Sequence, residues 1–96
     1  MTVVIVAEAE HEFLKDADYY EQQQPGLGIR FRNEVASVVD WLTQNTDVPR
    51  LRPGGYRRVN LRSFPHYVAY IVRNDTIWIA AISHAHRRPD HWFGRV

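Results

Sequence analysis

The stretch Tyr56–Arg88, YRRVNLRSFPHYVAYIVRNDTIWIAAISHAHRR, decides the fold. It contains three β-like runs, Tyr56–Leu61, Tyr67–Arg73 and Thr76–His84. In the first, Val59 and Leu61 alternate with Arg58, Asn60 and Arg62, a pattern that predicts one apolar and one cationic face. Phe64-Pro65 makes the first connection, and Asn74-Asp75 has the two-residue spacing of a tight hairpin. In the last run Trp78, Ala80, Ile82 and His84 share one parity, while Ile77, Ile79 and Ala81 share the other. One of these rows faces the rest of the core, and Trp78 reads as structural.

Upstream, Thr2–Val6 is an unbroken apolar run that reads as a strand buried on both faces. From Glu8 the period changes, and Ala9, Phe13, Ala17 and Tyr20 fall on one face of a helix. Acids at Glu8, Glu10 and Glu12 suit its N-terminal dipole, and Pro25-Gly26 ends it. Phe31, Val35, Val38, Val39 and Leu42 predict a second amphipathic helix, so the two form an αα-hairpin whose apolar stripe must lie on the sheet. Tyr19, Tyr20 and Trp41 read as helix packing. Asn45–Gly55 is turn material, and beyond Pro89 the segment with Trp92 and Phe93 folds back as a short cap. The expected order is β-α-α-β-β-β, an α+β domain with a two-helix hairpin on a mostly antiparallel sheet, as one domain over residues 1–96.

Hydrophobic content of 45% argues for a packed globule. The chain has no cysteine, so disulfide and thiolate chemistry are excluded. No signal peptide and no apolar run of membrane-spanning length is visible, which places the expected protein in the cytoplasm. The net charge of +1 hides a division. Residues 1–48 carry nine acids against Lys15, Arg30 and Arg32, and residues 49–96 carry nine arginines against Asp75 and Asp90. Solvent-facing helices and strands can produce such a division by themselves. Its size nevertheless points to an anionic partner for the C-terminal half.

If the strands pair as read, Arg57, Arg58, Arg62, Arg87, Arg88 and the histidines converge. Each single arginine has a plain solubility role on an exposed sheet, but the cluster suits a polyanion. His84 and His86 lie two apart with Asp90 and His91 nearby, yet no further ligand spacing supports a metal. A histidine among arginines could also act as general base in RNA cleavage. No phosphate-cradling glycine loop, nucleophile elbow or zinc signature is present, and no cofactor is expected.

The chain resembles the RelE/ParE superfamily, the toxin halves of bacterial type II toxin–antitoxin pairs. The resemblance rests on AEAEHEFLKDADYYEQQQPGLGIRF, with Ala9, Tyr19-Tyr20, Pro25-Gly26-Leu27-Gly28 and Phe31, on RRVNLRSFPHYVAYIV, and on the ending with Pro89, Trp92 and Arg95. It implies a cytoplasmic toxin bound by a cognate antitoxin in a hetero-oligomer. RelE-like members cut mRNA in the ribosomal A site; ParE-like members inhibit DNA gyrase. On the nuclease pattern, Arg58 replaces the first sheet lysine, Arg62 stands at a basic position, and Arg87 or Arg88 supplies the later arginine. Asn60 replaces the second lysine, Tyr67 replaces the arginine that stabilises the phosphorane, and Trp92 or Phe93 replaces the terminal tyrosine. Charge lost from a transition state costs orders of magnitude in rate. These departures, with Phe64-Pro65 and the paired tyrosines, favour a ParE-like gyrase inhibitor without a catalytic site. The alternatives are a ribosome-dependent endoribonuclease using Arg58, Arg62, His84, His86 and Arg87, or a non-toxic binding domain. Arg57, Arg58, Asn60, Arg62, Arg87, Arg88 and Arg95 are the expected contacts to a target or nucleic acid.

Overall fold

The apolar repeats expected for two helices set the framework. In a computed structural model describing residues 1–96, helix α1 spans Ala7–Gln23 and α2 spans Leu27–Gln44. Ala9 and Ala17 of α1 and Phe31, Val35 and Leu42 of α2 are buried, with Phe13, Tyr20, Val38 and Val39 packed beside them. Gly26 turns the chain at φ 89°, where a side chain would be strained. No residue caps α2 from its own N-terminus; Glu21 of α1 reaches across instead. Its carboxylate accepts hydrogen bonds from the Gly26 N–H at 2.8 Å and the Gly28 N–H at 3.0 Å. One anion thus satisfies two donors at the positive end of α2. The helices meet closely at Gly28, where an added Cβ would lie 2.5 Å from the Ala17 carbonyl oxygen.

The sheet contains β1 (Thr2–Ile5), β2 (Arg57–Asn60), β3 (His66–Arg73) and β4 (Thr76–His84), in the spatial order β1-β4-β3-β2. β1 runs parallel to β4, and the other pairs are antiparallel. Element order and class are as the sequence predicts. Asn74 and Asp75 both take positive φ, 50° and 63°, as a two-residue hairpin turn with matching twist requires.

Three expectations are corrected. β1 is an edge strand with exposed ends rather than a strand buried on both faces, because its sole neighbour is β4. The strict period of two in β4 also fails: Ala69 pairs with Ala81 but Tyr70 pairs with Ile79, so Ala80 is an extra residue in a bulge. Ile77, Ile79 and Ile82 consequently all face the helices, while Ala80 and Ala81 both face away. Finally, the cationic front expected on the side turned from the helices does not extend across the sheet. Trp92, at the end of the 3-10 turn Pro89–Trp92, covers it in a cluster with Tyr56, Tyr67, Ala69, Ala80 and Ala81. The cap expected of the C-terminal segment is therefore present.

Two polar contacts secure that cap. The Trp92 indole N–H donates to the Tyr67 hydroxyl at 2.9 Å in a buried site. The Arg95 guanidinium donates to both oxygens of Glu12 on α1, at 2.7 and 3.1 Å, and to the Ala80 carbonyl at 3.2 Å. The hydrogen bond from Arg95 is the largest influence on Glu12 and, against the effect of burial, holds its carboxyl below the ordinary value of 4.5. The depressed folded value means this contribution is complete above the unfolded value and is lost as pH falls through the folded one.

A Gly28→Ala variant gains about 1 kcal/mol of helix propensity. It meets a backbone oxygen that cannot move aside, at a cost on the order of 1–3 kcal/mol. Denaturant titration should show a net loss of stability of about 1 kcal/mol, the clash outweighing the propensity. Arg95→Ala should cost on the order of 2 kcal/mol near neutral pH. The same variant should flatten the acid limb of thermal midpoint against pH below the ordinary carboxylate value, a limb the parent protein shows.

Candidate target-binding surface

The register of β2 on β3 sorts the arginines expected to act together. Arg57 pairs with Tyr70 and shares its helix-side parity, whereas Arg58 pairs with Ala69 and lies on the far side. Arg57 is tied inward: its guanidinium donates to the Pro49 carbonyl and, at 3.3 Å, to that of Asp47. It is a brace for the loop before β2, aided by the Asp47 carboxylate at 3.9 Å. The Arg58 guanidinium carbon lies over the Tyr67 ring, 4.6 Å from its centroid, a cation–π contact. Asn60, opposite Tyr67, is exposed.

Arg62 is exposed beyond the end of β2, in the segment whose backbone N–H groups at 62 and 63 donate to Glu34 of α2. Beside it a groove of about 580 Å³ runs between α2 and β2, with Val38, Trp41, Val59 and Asn60 in its walls. Trp41 is 42% exposed there, so it does not serve the packing role expected of it; nor does Tyr19, at 59%. Tyr20 does, against Phe31 and Phe64.

The remaining cations sit elsewhere. Arg87 donates to Glu12 at 3.2 Å, Arg88 is exposed 3.6 Å from Asp90, and Arg95 is the clasp on Glu12. The expected convergence of Arg57, Arg58, Arg62, Arg87, Arg88 and the histidines does not occur. Arg58 and Arg62 lie at the β2 edge, Arg87 and Arg88 follow β4 two strands away, and Arg57 and Arg95 have structural partners.

His84 and His86 stack at 4.9 Å beside His66, and a cavity of about 480 Å³ opens there with Lys15, Tyr19, His84 and Arg87 in its walls. His66 is buried and its Nε2 lies 2.9 Å from Asp16 Oδ2, joining β3 to α1. Burial first, then the neighbouring His66 and His86, pushes the His84 pKa down, with Asp16 opposing. These influences favour the neutral form of the His84 ring. Yet it lies with His66 on the helix side, opposite to Arg58. Tyr67 and Trp92 are bonded to each other in the core. His91 hydrogen-bonds Ser83 at 2.9 Å, and no group of three or more His, Cys, Asp or Glu is arranged to hold a metal ion.

Sequence reasoning passed over Arg50 and Arg52. The signal was present: from Val48 to Asn74 the chain has six arginines and no acid. Arg52 forms an antiparallel bridge with Tyr56, which directs it to the same side as Arg58.

A sequence profile described as "ParE toxin of type II toxin-antitoxin system, parDE" matches residues 3–89. Among solved structures, one titled "Chromosomal ParDE TA system from P. aeruginosa" superposes with a TM-score of 0.77 at 20% sequence identity, covering 88% of this chain and 95% of that one. At that identity the likeness speaks for the fold. No curated protein sequence matches. With the profile spanning nearly its whole length, this chain belongs to the ParE toxin family of type II toxin–antitoxin systems.

Proposed function

We propose that this ParE-family chain inhibits DNA gyrase in the cytoplasm and is neutralised by a cognate antitoxin in a hetero-oligomeric complex. The observation that carries the reading is the family match over residues 3–89, joined to the dispersal of the groups a nuclease would need. Arg58 and His84 occupy opposite sides of the sheet, and Tyr67 and Trp92 are locked together beneath Arg58. A toxin that binds rather than cuts requires no such constellation.

The contacts to the target are assigned to Arg58, Asn60 and Arg62 at the β2 edge, with Arg87 and Arg88 as a second group that would exchange Glu12 and Asp90 for the target. The groove beside Trp41 and Val38 is the place for an apolar, acidic antitoxin segment, whose carboxylates would meet Arg62.

Purified chain should inhibit supercoiling by gyrase in proportion to its concentration, and adding the antitoxin should restore activity. Arg62→Ala should weaken inhibition by roughly tenfold, the effect of losing one well-placed charged contact of about 1.4 kcal/mol. Normal supercoiling at excess toxin rejects the reading. Primer extension that finds cuts within codons of translated mRNA moves the chain to the ribosome-dependent nucleases.

A further inference from the structure

Three arginines in and before β2, two of them directed to its far side, are left without a carboxylate partner. The protein's close ion pairs take up Arg57, Arg87, Arg88 and Arg95 among its arginines; Arg50, Arg52 and Arg58 have no carboxylate within 4.0 Å. The acid-free run from Val48 to Asn74 explains why. Arg52 is hydrogen-bonded through its backbone N–H to the Tyr56 carbonyl at 2.7 Å, and Tyr56 packs under Trp92. Two residues beyond Tyr56, on the same parity, is Arg58, and two further is Asn60. Strand geometry spaces these last two side chains by about 6.6 Å. Burial, and then the charges of Arg58 and Arg50, pull the Arg52 pKa down. Arg50 and Arg58 therefore both lie near enough to Arg52 to act on its charge.

Such repulsion is stable only where the fold pins the groups. Arg58 is pinned: its guanidinium lies over Tyr67, with Nε buried and without a hydrogen-bond partner. Arg50 is exposed and Arg52 and Arg58 are half-buried, and none of the three lines the cavities beside α1 and α2, so they form a ridge. A small anion needs enclosure, whereas a regularly charged polymer can lie along a ridge. An acidic protein segment also needs apolar anchors, and the groove offering them, with Val38 and Trp41, is on the helix side of β2.

We propose that Arg50, Arg52 and Arg58, with Asn60 as a neutral donor, bind the phosphate backbone of duplex DNA. The choice of DNA among polyanions rests on the gyrase reading; the site itself rests on the geometry. Planar guanidinium forks suit phosphate oxygens, and a ridge that presents no helix or ribbon to a groove binds without reading sequence. The toxin thereby holds DNA on the side of β2 turned away from Val38 and Trp41, with Asn60 at the border between this site and the groove assigned to the antitoxin.

The test is fluorescence anisotropy of the purified chain with a short labelled duplex of arbitrary sequence, titrated at several salt concentrations without gyrase. Three phosphate contacts predict a slope of log K against log salt of about −2.7. Arg52→Gln and Arg58→Gln should each reduce its magnitude by about 0.9, while Arg30→Gln, on the exposed surface of α2, should leave it unchanged. Arg52 makes no side-chain hydrogen bond within the protein, so its variant keeps the fold. Arg58→Lys restores the slope if Arg58→Gln has lost only charge. No binding at about 50 mM salt overturns the proposal. So does a slope indifferent to both glutamine variants, or binding of oligoglutamate in place of DNA, which would make the ridge a site for an acidic protein. Gyrase inhibition without DNA binding rejects this inference alone, and DNA binding without gyrase inhibition rejects only the functional reading.

Discussion

Trp92 resolves a difficulty set by the size of the chain. Two helices can cover only one side of a four-stranded sheet, and 96 residues leave no second layer for the other. The far side is therefore closed by one large side chain set on small ones. Ala69, Ala80 and Ala81 make the floor, and Tyr56 meets the indole edge-on at 4.7 Å and 89°. The bulge at Ala80 turns two consecutive alanines to this side, so β4 offers a flat seat there. Tyr67 receives the one polar atom that the indole brings into the core, a donor whose burial unpaired would cost about 1–3 kcal/mol.

That seating governs where charge can go. Tyr67, held from below by Trp92, is the surface on which Arg58 lies. Arg95, three residues past Trp92, fixes the C-terminal segment to Glu12, and Arg87 shares the same carboxylate. Aromatic packing on the far side and the Glu12 carboxylate of α1 thus tie down Arg58, Arg87 and Arg95. Glu21 plays a comparable part between the helices, where a residue of α1 caps α2.

Much of this architecture was legible locally. The helix faces follow from Ala9, Phe13 and Ala17, and from Phe31, Val35 and Leu42; the hairpin follows from Asn74-Asp75. What escaped depends on partners distant in sequence. Nothing in TIWIAAISH marks Ala80 as a bulge, since the slip is a property of its pairing with Ala69 and Tyr70. The parity of β2 correctly separates Arg58 from Val59, but the roles of Arg57 and Arg95 depend on Pro49, Asp47 and Glu12. For the candidate site, Arg58, Asn60 and Arg62 at one edge were readable from alternation. Arg50 and Arg52 were hidden in a proline- and glycine-rich turn, where no period indicates direction.

The parallel pairing of β1 with β4 has a temporal consequence. Thr2–Ile5 waits for Thr76–Ile79, and Glu12 waits for Arg95, 83 residues on, so the contacts that close the sheet are among the most distant in sequence. Non-local closure of this kind is slow, and it cannot begin while β4 is still untranslated. The helical hairpin needs no such partner and can form first. The layer that carries Arg58 and Trp92 is therefore the last to be completed.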